Sequence, residues 1–252
     1  MRKIHNFSAG PCILPPEVLL EASEAVKSWG QNGLSLIEMS HRSKPFVDVM
    51  EETRALTKEL LGLPDRFDIL YLQGGASLAF LTAAYNLLPE GGSAAYSDTG
   101  TWANKSIKEA KHLGNIDVVA STKESGYTRI PVTPQVNDKH SYFHYTSNNT
   151  IYGTQYKSVP TEAGVPLVAD MSSDIMSKKF DASPFSLIYA GAQKNMGPAG
   201  ATLVIVKNEI LGKTGRNIPT MLDYNTHISK DSMFNTPPVF PIYVSMLTLQ
   251  WL

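Results

Sequence analysis

From residue 68 onward the chain alternates short apolar runs with helical patterns, and this rhythm restricts the fold more than any other feature. DILYLQ (68–73) reads as a buried strand, Gly74-Gly75 as a turn, and ASLAFLTAAYNLL as a helix. SAAYSD (93–98) and TWANKSIKEAKHL (101–113) repeat the pair. Strands joined by helical crossovers must run parallel, and a parallel sheet needs cover on both faces. The expectation is an α/β fold with three α/β/α layers around a mostly parallel sheet. IDVVAS, SYFHYTS, PLVADMS, SLIYAG and ATLVIVK supply further strands, crowded closely enough to leave room for an antiparallel member.

Two amphipathic helices precede the alternation. The first opens at Pro15-Pro16, puts Leu19, Ala22, Val26 and Trp29 on one face, and stops near Gly30. The second runs from about Pro45 to Gly62 with Phe46, Val49, Met50, Thr53, Leu56 and Leu60 on one side. The expected layout is an N-terminal segment (1–15) followed by one large domain (16–252). The closing stretch PIYVSMLTLQWL starts an apolar helix and stops without a capping signal. That pattern suggests a piece of a longer chain.

Composition removes several classes of function. The 22 basic and 23 acidic residues leave a net charge of −1, with no positive surfeit for a nucleic-acid backbone. Cys12 is the single cysteine, so there is no internal disulfide or multi-cysteine metal site. His140 and His144 lack a third ligand at metal-binding spacing, and no metal is expected. The segment MRKIHNFSAGPC is not a signal peptide, and no run reaches bilayer-spanning length. The expectation is a cytoplasmic protein without a membrane partner.

The strongest chemical signal is Tyr189-Ala190-Gly191-Ala192-Gln193-Lys194-Asn195-Met196-Gly197-Pro198-Ala199-Gly200. Lys194 sits among small residues between two apolar strands, where partial burial would lower its pKa and free its amine to condense with a carbonyl. An exposed loop lysine is the plain alternative, and the local sequence leaves both open. Asp170 ends the apolar run VPLVAD, which puts its carboxylate at the C-terminal edge of the sheet, where open α/β folds bind ligands. A pyridoxal ring needs such a pair: an amine for its aldehyde and a carboxylate to keep its ring nitrogen protonated. Gly74-Gly75-Ala76-Ser77 follows a strand and opens a helix, a geometry that suits phosphate. Trp102 begins the next helix and could stack on a flat cofactor or simply fill the core.

Taken together, NFSAGPCILP (6–15), EMSHRSKPF (38–46), LYLQGGAS (70–77), YAGAQKNMGPAG (189–200) and SMFNTPP (232–238) resemble the phosphoserine aminotransferase family, in that family's order. The resemblance covers nearly the whole chain. It implies a dimeric fold-type I pyridoxal-phosphate enzyme in serine biosynthesis, with a possible link to pyridoxine biosynthesis. Such an enzyme exchanges an amino group between glutamate and 3-phosphohydroxypyruvate, giving O-phosphoserine and 2-oxoglutarate. By the same resemblance Lys194 would hold the cofactor and move the substrate proton. Asp170 would pair with the ring nitrogen, Trp102 would stack, and Thr150 would bond the ring hydroxyl. Ala76, Ser77 and Gln193 would hold the cofactor phosphate, with Asn235 and Thr236 reaching in from a partner subunit. His41 and Arg42 match the segment for anionic substrate groups, where a guanidinium fork suits carboxylate or phosphate.

Two departures from the family stand out. Some members carry an arginine where this chain has Ser77, so the substrate phosphate site here is expected to be built differently. Members also continue past the position of Leu252 into a smaller C-terminal domain. A cofactor-binding piece without full turnover, and a related enzyme such as a cysteine desulfurase on the same fold, therefore stay open at the level of sequence.

Overall fold

The computed structural model describes residues 4–31, 33–132 and 134–252. Met1–Lys3 of the expected N-terminal segment lie outside the described residues. The strands are β1 (Phe67–Leu72), β2 (Ser93–Asp98), β3 (Asn115–Ser121), β4 (His140–Thr146), β5 (Asn148–Asn149), β6 (Thr154–Gln155), β7 (Leu167–Asp170), β8 (Phe185–Gly191) and β9 (Thr202–Lys207). The α-helices are α1 (Pro16–Lys27), α2 (Lys44–Leu61), α3 (Gly75–Leu87), α4 (Thr101–Ala110), α5 (Tyr224–Ile228) and α6 (Val239–Trp251).

Seven strands form one sheet in the order β1-β9-β8-β7-β4-β2-β3. β9 is the antiparallel member, paired against β1 and β8. The reason is local. The lysine-bearing connection after β8 is too short for a crossover, so the chain must turn back on itself. The remaining pairings are parallel, which brings the C-terminal ends of β1, β2, β4, β7 and β8 to a common edge.

Side chains alternate between the two faces of each strand. Ile69, Tyr71, Tyr145, Ile188 and Leu203 share one buried cluster with Val18 of α1, Phe46 and Met50 of α2, and Leu247 of α6. Leu70, Tyr96, Tyr142, Val168 and Tyr189 share the other with Phe80 of α3 and Ile107 of α4. These two cores are the physical content of the three layers. β7, β8 and β9 are buried along their whole length, which is why they read as continuous apolar runs.

The first helix departs from its sequence reading. It ends at Lys27 and buries Val18, Ala22 and Ala25, whereas Leu19, Leu20 and Val26 are exposed. The side chains it buries are small, so the bulkiest residues were a poor guide to its buried face. Trp29 lies beyond the helix and meets Tyr243 edge-on at 5.6 Å. The second helix keeps its expected face and ends at Gly62, whose φ of 59° suits a glycine. α4 stops at Ala110, and Leu113 closes a tighter turn onto the Ala110 carbonyl.

Candidate active site

β7 delivers Asp170 to the sheet edge with only 4% of its surface exposed. Its Oδ1 accepts from the Ser172 backbone N–H at 3.0 Å and from the Ser172 hydroxyl at 2.6 Å. Burial raises the Asp170 pKa, and the two Ser172 bonds and the Lys194 charge pull against that rise.

β8 ends at Gly191, and the chain then coils tightly. Met196 N–H and Gly197 N–H both reach the Ala192 carbonyl, and Ala192 N–H reaches Ala201. This turn presents Lys194, whose Nζ donates to Thr150 Oγ1 at 2.6 Å and to Ser173 Oγ at 3.2 Å. Thr150 and Ser173 are themselves 2.5 Å apart. Half-burial draws the lysine pKa down, with Asp170 opposing. The amine is thus held in place yet lies nearer its nucleophilic free-base form than a surface lysine does.

Thr150 follows β5 in the small β5–β6 hairpin. That hairpin is fastened to the start of α4, since Thr99 Oγ1 donates to Asn149 Oδ1 at 3.0 Å. A Cβ on Gly100 would come within 2.9 Å of the Tyr152 ring, so only glycine permits this close approach. Trp102, in the first turn of α4, places its ring centroid 5.3 Å from Lys194 Nζ. Its indole N–H is buried without a partner among the described residues.

Gly74 and Gly75 adopt φ of 94° and 63° between β1 and α3, and α3 has no side-chain N-cap. The amides of its first turn, which includes Ala76 and Ser77, are thereby left for an anion. Gln193 lies in the lysine turn, and its carbonyl accepts from Cys12 N–H at 3.0 Å. The N-terminal segment thus runs along this turn, with Gly10 so close that an added Cβ would sit 3.0 Å from Lys194 Cγ.

Asn235 and Thr236 are drawn instead to Gln73, just before the glycine turn of the same chain. Gln73 Nε2 donates to the Thr236 carbonyl at 2.6 Å, and Asn235 Nδ2 donates to Gln73 Oε1 at 3.2 Å. His41 is buried with its Nε2 unpartnered among the described residues. Burial and the adjoining Arg42 lower its pKa. Arg42 is exposed, and no hydrogen bond among the described residues joins it or His41 to the Lys194 cluster.

The sequence reading missed Ser172, Ser173 and Gln73. The tandem serines directly after a strand-ending aspartate were the available signal, because hydroxyls there can only face the site or cap the turn. His140 and His144 do not converge: His140 bonds Asp117 and His144 bonds Tyr189.

A half-buried amine, a buried carboxylate, an indole face, two hydroxyls and an uncapped helix start now stand along one edge. Comparison with known proteins agrees with this chemistry. The family model described as aminotransferase class-V matches residues 4–252. The chain belongs to that family. It is 63% identical to the phosphoserine aminotransferase of Flavobacterium psychrophilum over 99% of this chain and 70% of that protein. A solved phosphoserine aminotransferase, studied for radiation damage of its Schiff base, superposes with a TM-score of 0.96 at 46% identity, covering 100% of this chain and 70% of that one. The pyridoxal-phosphate-bound phosphoserine aminotransferase of Trichomonas vaginalis gives 0.91 at 32% identity, over 99% and 70%. Within the class-V aminotransferases this chain therefore falls among the phosphoserine aminotransferases, and it spans about 70% of the length of these relatives.

Proposed function

We propose that this aminotransferase binds pyridoxal 5'-phosphate and exchanges an amino group between glutamate and 3-phosphohydroxypyruvate, yielding 2-oxoglutarate and O-phosphoserine. The observation that carries the reading is Lys194. Its amine is half-buried, hydrogen-bonded to Thr150 and Ser173 and set against Trp102, on the edge where Asp170 is buried. The donor set fits the cofactor group by group: amine for aldehyde, carboxylate for ring nitrogen, hydroxyl for hydroxyl, and helix start for phosphate. When bound, pyridoxal phosphate supplies a carbonyl for covalent attachment and a ring that accepts electrons.

Everything else falls to the protein. Lys194 would hold the cofactor through its amine and would move the proton taken from the substrate Cα to the cofactor carbon. Asp170 holds a proton on the ring nitrogen by charge. Trp102 covers a ring face, and Thr150 orients the ring hydroxyl. Ala76, Ser77 and Gln193 bind the phosphate, with Asn235 and Thr236 contributed by the partner in a homodimer. His41 and Arg42 receive the anionic groups of the amino and keto acids. With Ser77 in place of an arginine, the first turn of α3 offers a hydroxyl and amides there, without a guanidinium. Residues 16–252 act as one cofactor-binding domain behind the N-terminal segment 1–15, in a cytoplasmic enzyme of serine and pyridoxine biosynthesis. No helix among the described residues is long and apolar enough to cross a membrane.

The test joins chemistry to mass. Borohydride reduction of the cofactor-loaded protein should fix one pyridoxyl group on Lys194, detected by intact mass and peptide mapping. Lys194→Ala should lose both the adduct and the visible absorbance. Glutamate with 3-phosphohydroxypyruvate should be turned over by the wild type, whereas sulfide release from cysteine would redirect the reading to a desulfurase. An adduct on another lysine would refute it.

A further inference from the structure

An ionised carboxylate at the end of a buried strand needs fixed donors, because water cannot solvate it freely. Asp170 Oδ1 receives two hydrogen bonds, and both come from Ser172. The hydroxyl of Ser172 in turn accepts from Gly191 N–H at 3.1 Å. Gly191 is the last residue of β8 before the lysine turn. One serine hydroxyl therefore spends its only proton on the acid of β7 and its lone pair on the strand that carries the amine. Ser172 is itself 6% exposed, so these bonds are poorly replaced by solvent. Asp170 Oδ2 accepts no hydrogen bond among the described residues.

We propose that Ser172 is a positioning residue: it fixes Asp170 through Oδ1, leaves Oδ2 for the cofactor ring nitrogen, and offsets part of the cost of placing a charge in a nearly dry site. This rests on the reading of Asp170 given above. The other groups that bear on Asp170 are Lys194 and Asp174 from the loops after β8 and β7, and Tyr189 on β8. Behind Tyr189 stands His144 of β4, hydrogen-bonded to its hydroxyl. None of them donates a hydrogen bond to the carboxylate among the described residues, so Ser172 supplies what burial takes away. Its loss would let burial push the carboxyl further toward the protonated form, which cannot hold a proton on the ring nitrogen by charge.

Four proteins test this: wild type, Ser172→Ala, Asp170→Asn and the double variant. Cofactor affinity is read by titrating apoprotein with pyridoxal phosphate. The ionisation of Asp170 is read in apoprotein from the pH dependence of its infrared carboxyl band, assigned against Asp170→Asn. Loss of one hydrogen bond to a charged group predicts affinity about tenfold weaker or more in Ser172→Ala. The Asp170 band should also titrate at higher pH. Ser172→Thr, which keeps the hydroxyl, should restore both values. In the Asp170→Asn background the alanine change should cost little more, since its effect passes through the carboxylate.

Equal losses in both backgrounds would show a merely structural serine and overturn the proposal, as would an unmoved carboxyl titration. If Asp170→Asn alone left affinity and spectrum unchanged, the reading of Asp170 itself would fall first. Should the alanine variant not fold, Ser172→Cys, a weaker donor, carries the same comparison.

Discussion

His144 shows how much of this chain's pH behaviour is set by single buried groups. Its ring is stacked 4.7 Å from Tyr96 and 5.9 Å from Tyr189, with Nε2 bonded to the Tyr189 hydroxyl at 2.6 Å. Burial drives its pKa down to about 3, because an imidazolium there would have no solvent around it. The folded state thus refuses a proton that the unfolded chain accepts in the ordinary histidine range near 6.5. The stability this gives is present above that range and drains away as pH falls toward the folded value. Between pH 7 and pH 5 the loss from this residue should be about 2 kcal/mol. Urea unfolding of the apoprotein at the two pH values measures it, and His144→Gln should remove about that much of the difference. An unchanged difference in the variant would show that another group sets the acid limb. Asp170 works in the opposite sense. Its raised pKa favours the folded state below the ordinary carboxylate range, and that contribution is lost as pH climbs through the folded value.

At the scale of elements, most strands were legible because a parallel strand buried on both faces must be apolar throughout. Lys194 and Asp170 stood out for the same reason, since Asp170 closes one such run and Lys194 lies just past the end of another. The β5–β6 hairpin had no such signature. It depends on the Asn149 side chain, which donates to Thr154 Oγ1 at 3.1 Å, and a bond of that kind leaves no hydrophobic period. Ser172 and Ser173 were harder to read as site residues: their place after the strand-ending Asp170 was the one signal, and the turn that aims them leaves no hydrophobic pattern. The placement of the lysine turn against α6 was equally hidden, and it sets up a sharp packing test. A Cβ on Gly197 would stand 2.5 Å from Ser245 Oγ, and Ser245 is fully buried with that hydroxyl unpartnered among the described residues. Gly197→Ala should therefore force α6 and the lysine turn apart, at a cost of about 2 kcal/mol. Ser245→Ala removes the obstructing oxygen and sacrifices no hydrogen bond, so the double variant should recover at least half of the loss in chemical denaturation. Strict additivity of the two changes would mean that the contact is not what limits residue 197.

For the homodimer proposed above, the whole molecule raises a question of which chain each site draws upon. Asn235 and Thr236 were named on the family resemblance alone, as groups reaching a partner's cofactor phosphate. Within one chain, Gln73 holds that same segment beside the chain's own glycine turn. Both arrangements use the same residues, and they differ in what a mixed dimer can do. If the segment acts across a two-fold interface, each site combines Lys194 of one chain with Asn235 and Thr236 of the other. A heterodimer of a Lys194→Ala chain and an Asn235→Ala/Thr236→Ala chain then contains one intact site, although neither parent homodimer has any. Co-expressed with two tags and purified as the mixed pair, it should take up tightly bound cofactor at about half the wild-type occupancy. If the segment serves its own chain, the mixed dimer has one site without its lysine and another without its phosphate contacts. Occupancy would then stay at the level of the parents, and Gln73 would be holding Asn235 and Thr236 at the site they serve.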